Sequence, residues 1–230
     1  MRAAVVVFPG SNCDADSHYV LNEVAGIPAD YVWHTDTDLS GYDAVVLPGG
    51  FSHGDYLRSG AVAARAPVMR AVREAAERGV PVLGICNGFQ VLLESGLLPG
   101  AMLHNAGIDF RCEWVDLRTE TARTAFTAAG TAGDVLRLPI AHGEGNYFAE
   151  PELLARLQDE NRIVFRYCEA DGTVTPDANP NGSVDGIAGV CNEARNVVGL
   201  MPHPERASES DLGSADGRVF WDSLLSTVTA

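Results

Sequence analysis

Two short stretches of this chain hold residues that could do chemistry together. The first, Val80-Pro-Val-Leu-Gly84-Ile-Cys86-Asn-Gly88-Phe-Gln90, is an apolar run that enters a Gly-x-Cys-x-Gly turn and then a helical pattern. Such a strand–turn–helix elbow holds its central residue in a strained conformation, has no room for side chains on either flank, and leaves the central side chain exposed above the sheet. Here that side chain is a thiol, placed at a helix N-terminus whose unpaired N–H groups favour a thiolate. The second stretch is Met201-Pro202-His203-Pro204-Glu205. Pro202 fixes its own φ and Pro204 disfavours the helical region at His203, so the segment is extended and residues two apart point the same way. Glu205 then lies beside the imidazole and holds its tautomer, leaving His203 to act as base and acid. The pattern predicts a Cys86-His203-Glu205 triad for nucleophilic catalysis.

An attacked carbonyl also needs donors for the charge that develops on its oxygen. Pro48-Gly49-Gly50-Phe51 follows an apolar run at Ala44 to Leu47, at a strand end of the kind that carries ligand loops in open α/β sheets. Backbone N–H groups near Gly50 and Phe51, with that of Asn87, are the expected oxyanion hole. Farther along the same loop, His53, Asp55 and Arg58 read equally well as ligand or partner contacts and as solvated surface. His142-Gly-Glu-Gly-Asn146 is turn-like and receives no role from its spacing. Asp14, Asp16, Asp36 and Asp38 lack a third partner in sequence and read as caps and loop residues, so no metal site is expected. Cys112, Cys168 and Cys191 read as inert core thiols.

These groups need a scaffold, and the hydrophobic pattern supplies one. Ala3 to Phe8 is a buried strand followed by a turn in which Asn12 or Asp14 can cap a helix. Tyr31 to Trp33 and Ala44 to Leu47 read as further strands. Pro67 opens a helix whose Val68, Met69, Val72, Ala75 and Ala76 share one face, and the helix after the elbow stops at Gly96. Ile163 to Cys168, Ile187 to Cys191 and Val197 to Met201 are strands, the last two joined by a polar turn and hence antiparallel. Val219, Phe220, Leu224, Leu225 and Val228 recur at helical spacing near the C-terminus, and residues 171–183 read as a surface loop. The expected fold is α/β: an open, mostly parallel twisted sheet flanked by helices, with some antiparallel strands, in a single domain over residues 1–230.

Composition narrows the function further. All 16 basic residues are arginines; with no lysine, a Schiff base, a Ser-Lys dyad and a lysine-bearing phosphate loop are excluded. Acidic residues number 31, and the net charge of −15 argues against nucleic acid and anionic membranes as partners. Five unpaired-looking cysteines, no secretory leader pattern and no apolar stretch of spanning length point to the cytoplasm.

The elbow and the distant His203-Pro-Glu205 resemble the triad class of glutamine amidotransferases. Longer strings narrow the resemblance to the glutaminase subunits of phosphoribosylformylglycinamidine synthase: Pro9-Gly-Ser-Asn-Cys-Asp14, Pro48-Gly-Gly-Phe-Ser52 with Gly54-Asp-Tyr-Leu-Arg58, Gly96-Leu-Leu-Pro-Gly100, Ala141-His-Gly-Glu-Gly-Asn146 and Gly199-Leu-Met-Pro-His-Pro-Glu-Arg206. His53 stands where that family's pattern has tyrosine, and the loop from Ala170 to Pro180 is longer than usual. The resemblance implies a flavodoxin-like three-layer fold. It also implies attack of Cys86 on the side-chain amide of L-glutamine, a γ-glutamyl thioester, release of ammonia aided by His203, and contact of Gln90 with bound glutamine. No cofactor is expected on this chain; ATP, Mg and formylglycinamide ribonucleotide belong on a synthetase partner, joined by a small third subunit. The competing reading is a cysteine-elbow hydrolase or peptidase of similar layout. Chain order argues against it, because an α/β-hydrolase runs nucleophile, acid, histidine, whereas His203 precedes Glu205 here.

Overall fold

A computed structural model describes residues 1–228 of the chain, except for the side chain of Val228, so the last position of the expected C-terminal apolar face lies outside the described residues. In chain order the elements are β1 (Ala3–Val7), α1 (Asp14–Tyr19), β2 (Ala29–Trp33), β3 (Ala44–Leu47), α2 (Val68–Glu77), β4 (Val82–Ile85), α3 (Asn87–Glu94), β5 (Ala101–Leu103), β6 (Arg111–Thr119), β7 (Val135–His142), β8 (Asn146–Phe148), α4 (Pro151–Asp159), β9 (Ile163–Cys168), β10 (Ile187–Cys191), β11 (Val197–Leu200) and α5 (Arg218–Val228).

Nine strands form one sheet in the order β2-β1-β3-β4-β11-β10-β9-β6-β7, while β5 and β8 pair separately. The five strands from β2 to β11 are mutually parallel. From β11 onward every neighbour is antiparallel. Every residue of β3, β4 and β11 is buried, so both faces of the parallel half are covered, as continuous apolar strands require. The connections β1 to β2 and β3 to β4 run in opposite directions across the sheet. Right-handed crossovers therefore set α1 and α2 on opposite faces. On α2, Val68, Met69, Val72, Ala75 and Ala76 are buried, and α3 ends ahead of Gly96, whose φ of 71° turns the chain so that the next N–H, of Leu97, reaches back to Leu92 O at 3.0 Å. On α5, Phe220 and Leu224 enter the core, with Val219 and Leu225 half-buried against it.

This topology brings four loops to one edge. The C-terminal ends of β1, β3, β4 and β11, neighbours in the sheet, release residues 8–13, 48–51, 86 and 201–205 side by side, at the place where open α/β sheets bind ligands. Ile85 pairs with Leu200 across β4 and β11, and Cys86 N continues the ladder by donating to Leu200 O at 2.8 Å. Nucleophile and histidine loops thus leave neighbouring strands at the same level.

Two parts differ from expectation. The hairpin β6–β7 runs along the sheet edge, and Cys112 on β6 is exposed instead of core. Residues 171–183 are also more than surface: Asn181 and Ser183 are buried, and Ser183 Oγ donates to Gly145 O while accepting from Tyr147 N. This loop braces the turn after β7. Among the described residues, no helix is long and apolar enough to cross a membrane.

Candidate active site

Cys86 joins β4 to α3 at φ 50° and ψ −107°, a conformation that costs a non-glycine residue about 1–3 kcal/mol. The glycines around it are steric necessities. A Cβ at Gly88 would fall 1.9 Å from Leu47 O, and one at Gly84 would fall 2.7 Å from Gly88 O. The strained turn is therefore locked between β3 and α3, and it holds the Cys86 sulfur 3.8 Å from Ala141 O at the end of β7.

Beyond β11 the chain is extended at His203, with φ −107° and ψ 91°, and then makes a short helical turn through Pro204–Arg206. His203 N donates to Pro139 O at 2.9 Å, and Ser208 Oγ, itself held by Trp221 Nε1 at 2.8 Å, donates to Pro204 O. The loop is thus tied to β7 on one side and α5 on the other. Inside it, His203 Nδ1 donates to Glu205 Oε1 at 2.6 Å, with both side chains buried. Burial works against a charge on this imidazole. The Glu205 carboxylate, followed by the Cys86 and Cys13 sulfurs, outweighs that effect and holds its pKa well above the ordinary histidine value. Nε2 has no hydrogen-bond partner, which leaves it for a thiol proton or a leaving group.

Gly49 shows how closely the parts converge. A Cβ there would lie 2.7 Å from His203 Cε1, 3.0 Å from Cys13 Sγ and 3.4 Å from Cys86 Cβ. Cys13, from the loop after β1, was not expected in the site. Its thiol is pushed up by burial and partly restored by His203, and Arg206 Nη2, anchored through Nε to Asp16, reaches its sulfur at 3.1 Å. The signal that could have found it is its position: it follows a buried parallel strand at the same sheet edge as the elbow.

Two adjoining clefts of about 200 Å³ each open over Cys86, both walled by Gly50, Phe51, Phe110 and Ala141. A larger cavity of about 320 Å³ near Trp114 and Pro180 shares no triad residue. Of the predicted residues, Cys86, Gly50, Phe51, Gln90 and His203 line these clefts, while Asn87 and Glu205 stand behind them, bonded to Gln90 and His203, and one expectation is amended. The Phe51 N–H expected in the oxyanion hole donates to Gly10 O at 2.9 Å, because the loops after β1 and β3 form a short antiparallel bridge. Phe51 contributes its ring to the cleft, and the N–H of Asn87, at the first position of α3, has no intrahelical carbonyl to meet. Gln90 lines the cleft, but its Nε2 donates to Glu144 O at 2.6 Å and its Oε1 accepts from Asn87 Nδ2 at 2.9 Å. Asn87 Oδ1 also receives Ser52 N at 3.1 Å, so these two side chains brace the walls. Asp55, His142 and Glu144 line the same cleft. His53 packs edge-on against His34, and Arg58 forms a two-pronged ion pair with Glu94, at 2.6 and 2.5 Å. Neither belongs to the cleft walls. Asp36 and Asp38 receive backbone N–H groups within their own turns, as loop residues should.

A thiol on a glycine elbow, an imidazole–carboxylate pair in the loop after the adjacent strand and a small cleft beside them fit the triad class of glutamine amidotransferases. The family model for the CobB/CobQ-like glutamine amidotransferase domain matches residues 1–218. The chain is 57% identical to phosphoribosylformylglycinamidine synthase subunit PurQ of Moorella thermoacetica, over 98% of this chain and 95% of that protein. It is 56% identical to the PurQ of Symbiobacterium thermophilum, over 100% and 97%. A solved structure of PurLQS from Thermotoga maritima superposes with a TM-score of 0.88 at 47% identity, covering 99% of this chain and 98% of that one. The chain belongs to the PurQ family of phosphoribosylformylglycinamidine synthase subunits, a family of glutamine amidotransferases.

Proposed function

We propose that this chain hydrolyses L-glutamine to glutamate and ammonia and passes the ammonia to a synthetase subunit. That subunit would use ATP and Mg to convert formylglycinamide ribonucleotide to formylglycinamidine ribonucleotide in de novo purine biosynthesis. The names of the relatives support the synthetase, and a small third subunit completes the proposed assembly in the cytoplasm. Residues 1–230 act as one amidotransferase domain, with no cofactor of their own.

The reaction follows from the groups in the cleft. The Cys86 sulfur attacks the side-chain amide carbon of glutamine, forming a C–S bond, while the thiol proton resides on His203. Negative charge collects on the amide oxygen, and the N–H groups of Asn87 and Gly50 receive it; one such donor is worth about 10²–10³ in rate. His203 Nε2 gives its proton to the amide nitrogen, the C–N bond breaks and neutral ammonia leaves. A γ-glutamyl thioester remains. Water, giving a proton to His203, attacks the thioester carbon; the C–S bond breaks and glutamate is released. Glu205 stays ionised throughout and offsets the imidazolium charge in a place where water cannot.

The observation that carries this reading is the convergence of Cys86, His203 and Glu205 beside one small cleft. An electrophilic glutamine analogue tests it. A single adduct on Cys86, suppressed by excess glutamine and lost in Cys86→Ser, is expected by mass spectrometry; no adduct, even with the synthetase and ATP present, would remove glutamine from the account.

A further inference from the structure

The turn His142-Gly-Glu-Gly-Asn146 leaves the end of β7 beside the nucleophile and carries a glycine on either side of Glu144, which stands on the wall of the cleft over Cys86. Gly145 lies against the His142 ring, where a Cβ would fall 2.2 Å from Cε1, so only glycine lets the turn close. Glycines that allow such a turn also leave it free to move. The group that restrains it is Asn105, from the loop after β5, which is 1% exposed.

Asn105 uses its whole hydrogen-bonding capacity on this region. Nδ2 donates to Asp109 O and to His142 O, each at 2.9 Å, while Oδ1 accepts from Gly145 N at 2.9 Å and faces His142 Nδ1 at 3.1 Å. Two carbonyl oxygens on one side of the amide and an N–H on the other fix its orientation, and an amide oxygen only accepts, so His142 Nδ1 carries the hydrogen. Burial, followed by the charge of His203, lowers the pKa of His142 to about 4 and keeps it neutral. The backbone N–H of Asn105 donates to Gly143 O at 2.9 Å, and the next residue, Ala106, donates its N–H to Asn181 O in the bracing loop, also at 2.9 Å. Both peptide groups that flank Glu144 are therefore gripped by one residue. The second of them is held at its other end as well, because Glu144 O accepts from Gln90 Nε2 on the elbow helix at 2.6 Å. Asparagine alone suits this position: aspartate, its isostere, would set an oxygen against two carbonyl oxygens.

We propose that Asn105 is a positioning residue for glutamine hydrolysis: it clamps the 142–145 turn against the elbow helix and so sets the width of the cleft that holds the substrate amide in line with the Cys86 sulfur. The inference rests on the glutaminase reading and deepens it. Asn105 does not line the cleft and touches neither sulfur nor imidazole of the triad; its effect passes through the Glu144–Gly145 peptide, which it and Gln90 hold from opposite ends. A wall released by even a fraction of an ångström would leave Cys86 intact and the substrate badly seated.

The first measurement needs no variant. Nitrogen-15 spectra of the full wild-type chain at neutral pH should show His142 uncharged with its hydrogen on Nδ1; a hydrogen on Nε2 would reverse the Asn105 amide and overturn the inference. The variants Asn105→Asp and Asn105→Ser are then assayed with the synthetase. Each should raise KM for glutamine by about 10–100-fold and leave kcat within about threefold. Labelling of Cys86 by the electrophilic glutamine analogue should slow by a similar factor, whereas labelling by iodoacetamide, which needs no fitted cleft, should hold within about threefold. A folded variant that melts lower but keeps the wild-type KM and both labelling rates would overturn the inference, since Asn105 would then serve stability alone. Equal slowing of both labels would overturn it too, because the nucleophile itself would have moved. Failure of the wild-type complex to hydrolyse glutamine, with Cys86 still labelled by iodoacetamide, would instead overturn the glutaminase reading from which the inference starts.

Discussion

Replacing Gly49 by alanine probes the cleft where it is tightest. The added methyl would sit 2.7 Å from His203 Cε1 and 3.0 Å from Cys13 Sγ. To regain ordinary contact near 3.4 Å the imidazole must retreat by about 0.7 Å, and it cannot do so freely because Nδ1 is held by Glu205 and its backbone by Pro139. A misplacement approaching 1 Å costs about 10² in rate, or about 2.7 kcal/mol of transition-state stabilisation. The same overpacking should lower stability by about 1–3 kcal/mol, leaving a folded protein. The assay is glutamate release in the synthetase complex, together with thermal unfolding and the rate of Cys86 labelling by the electrophilic analogue. The expected result is a kcat down about 100-fold with KM little changed, since Gly49 lies behind the reacting groups. A folded Gly49→Ala protein with kcat within about threefold of wild type would refute the claim that the His203 imidazole, tied to Glu205 and Pro139, has no harmless way to retreat from a methyl at Gly49.

Glu205→Gln should lower kcat by about 10²–10⁴, because the imidazole loses the partner that sets its tautomer and supports its charge. The variant also has a stability signature: the raised pKa of His203 makes the imidazolium–carboxylate pair fully stabilising below the unfolded value of 6.5, a contribution lost as pH rises through the folded value. Melting curves across that window should slope downward with pH in wild type and flatten in Glu205→Gln. Asp55, raised to about 6 by burial and then by Glu144, with Ser59 and Asn87 as its hydrogen-bond partners, behaves in the opposite sense to a paired carboxylate. Its effect destabilises the fold progressively between pH 3.8 and about 6, so Asp55→Asn should melt higher than wild type at pH 7.5 and no higher at pH 3.5; equal melting at both would contradict the burial argument. Gly88→Ala should yield no soluble folded protein, given the 1.9 Å approach to Leu47 O, and a soluble variant with native circular dichroism would show that the elbow is looser than described.

The parallel half of the fold was legible because its strands are buried on both faces and so read as unbroken apolar runs, with glycine and proline marking their ends. The antiparallel edge was less so. β6 is half-exposed, with Arg111, Glu113, Asp116 and Arg118 interrupting Trp114, Val115 and Leu117, and its pairing with β7 is dictated by partners 17 to 31 residues away. The proximity of Cys86, His203 and Glu205 was readable because an elbow and a Pro-His-Pro-Glu segment carry most of their geometry locally, although the segment is extended only at His203 and turns helically through Pro204–Arg206. Cys13, His142 and Glu144 carry none: each sits in a turn whose meaning depends on which strands lie next to each other, and strand order is not a local property. The Phe51 amide shows the same limit from the other side. Its turn was recognised, but its hydrogen bond belongs to Gly10, 41 positions earlier.

The order of strands has a consequence for how the protein is made. β11 occupies a slot between β4 and β10, so the middle of the sheet is filled by the last strand to leave the ribosome. Until then β4 has an open edge, and the nucleophile waits at its tip without a base. His203 arrives three residues after that strand, as the gap closes. Long-range closure of this kind is slow, and an unfinished or arrested chain would expose a β4 edge prone to pairing with other chains. Assembly of the proposed site is thereby coupled to completion of the fold: a fragment ending before β11 carries the Cys86 thiol but lacks both His203 and Glu205.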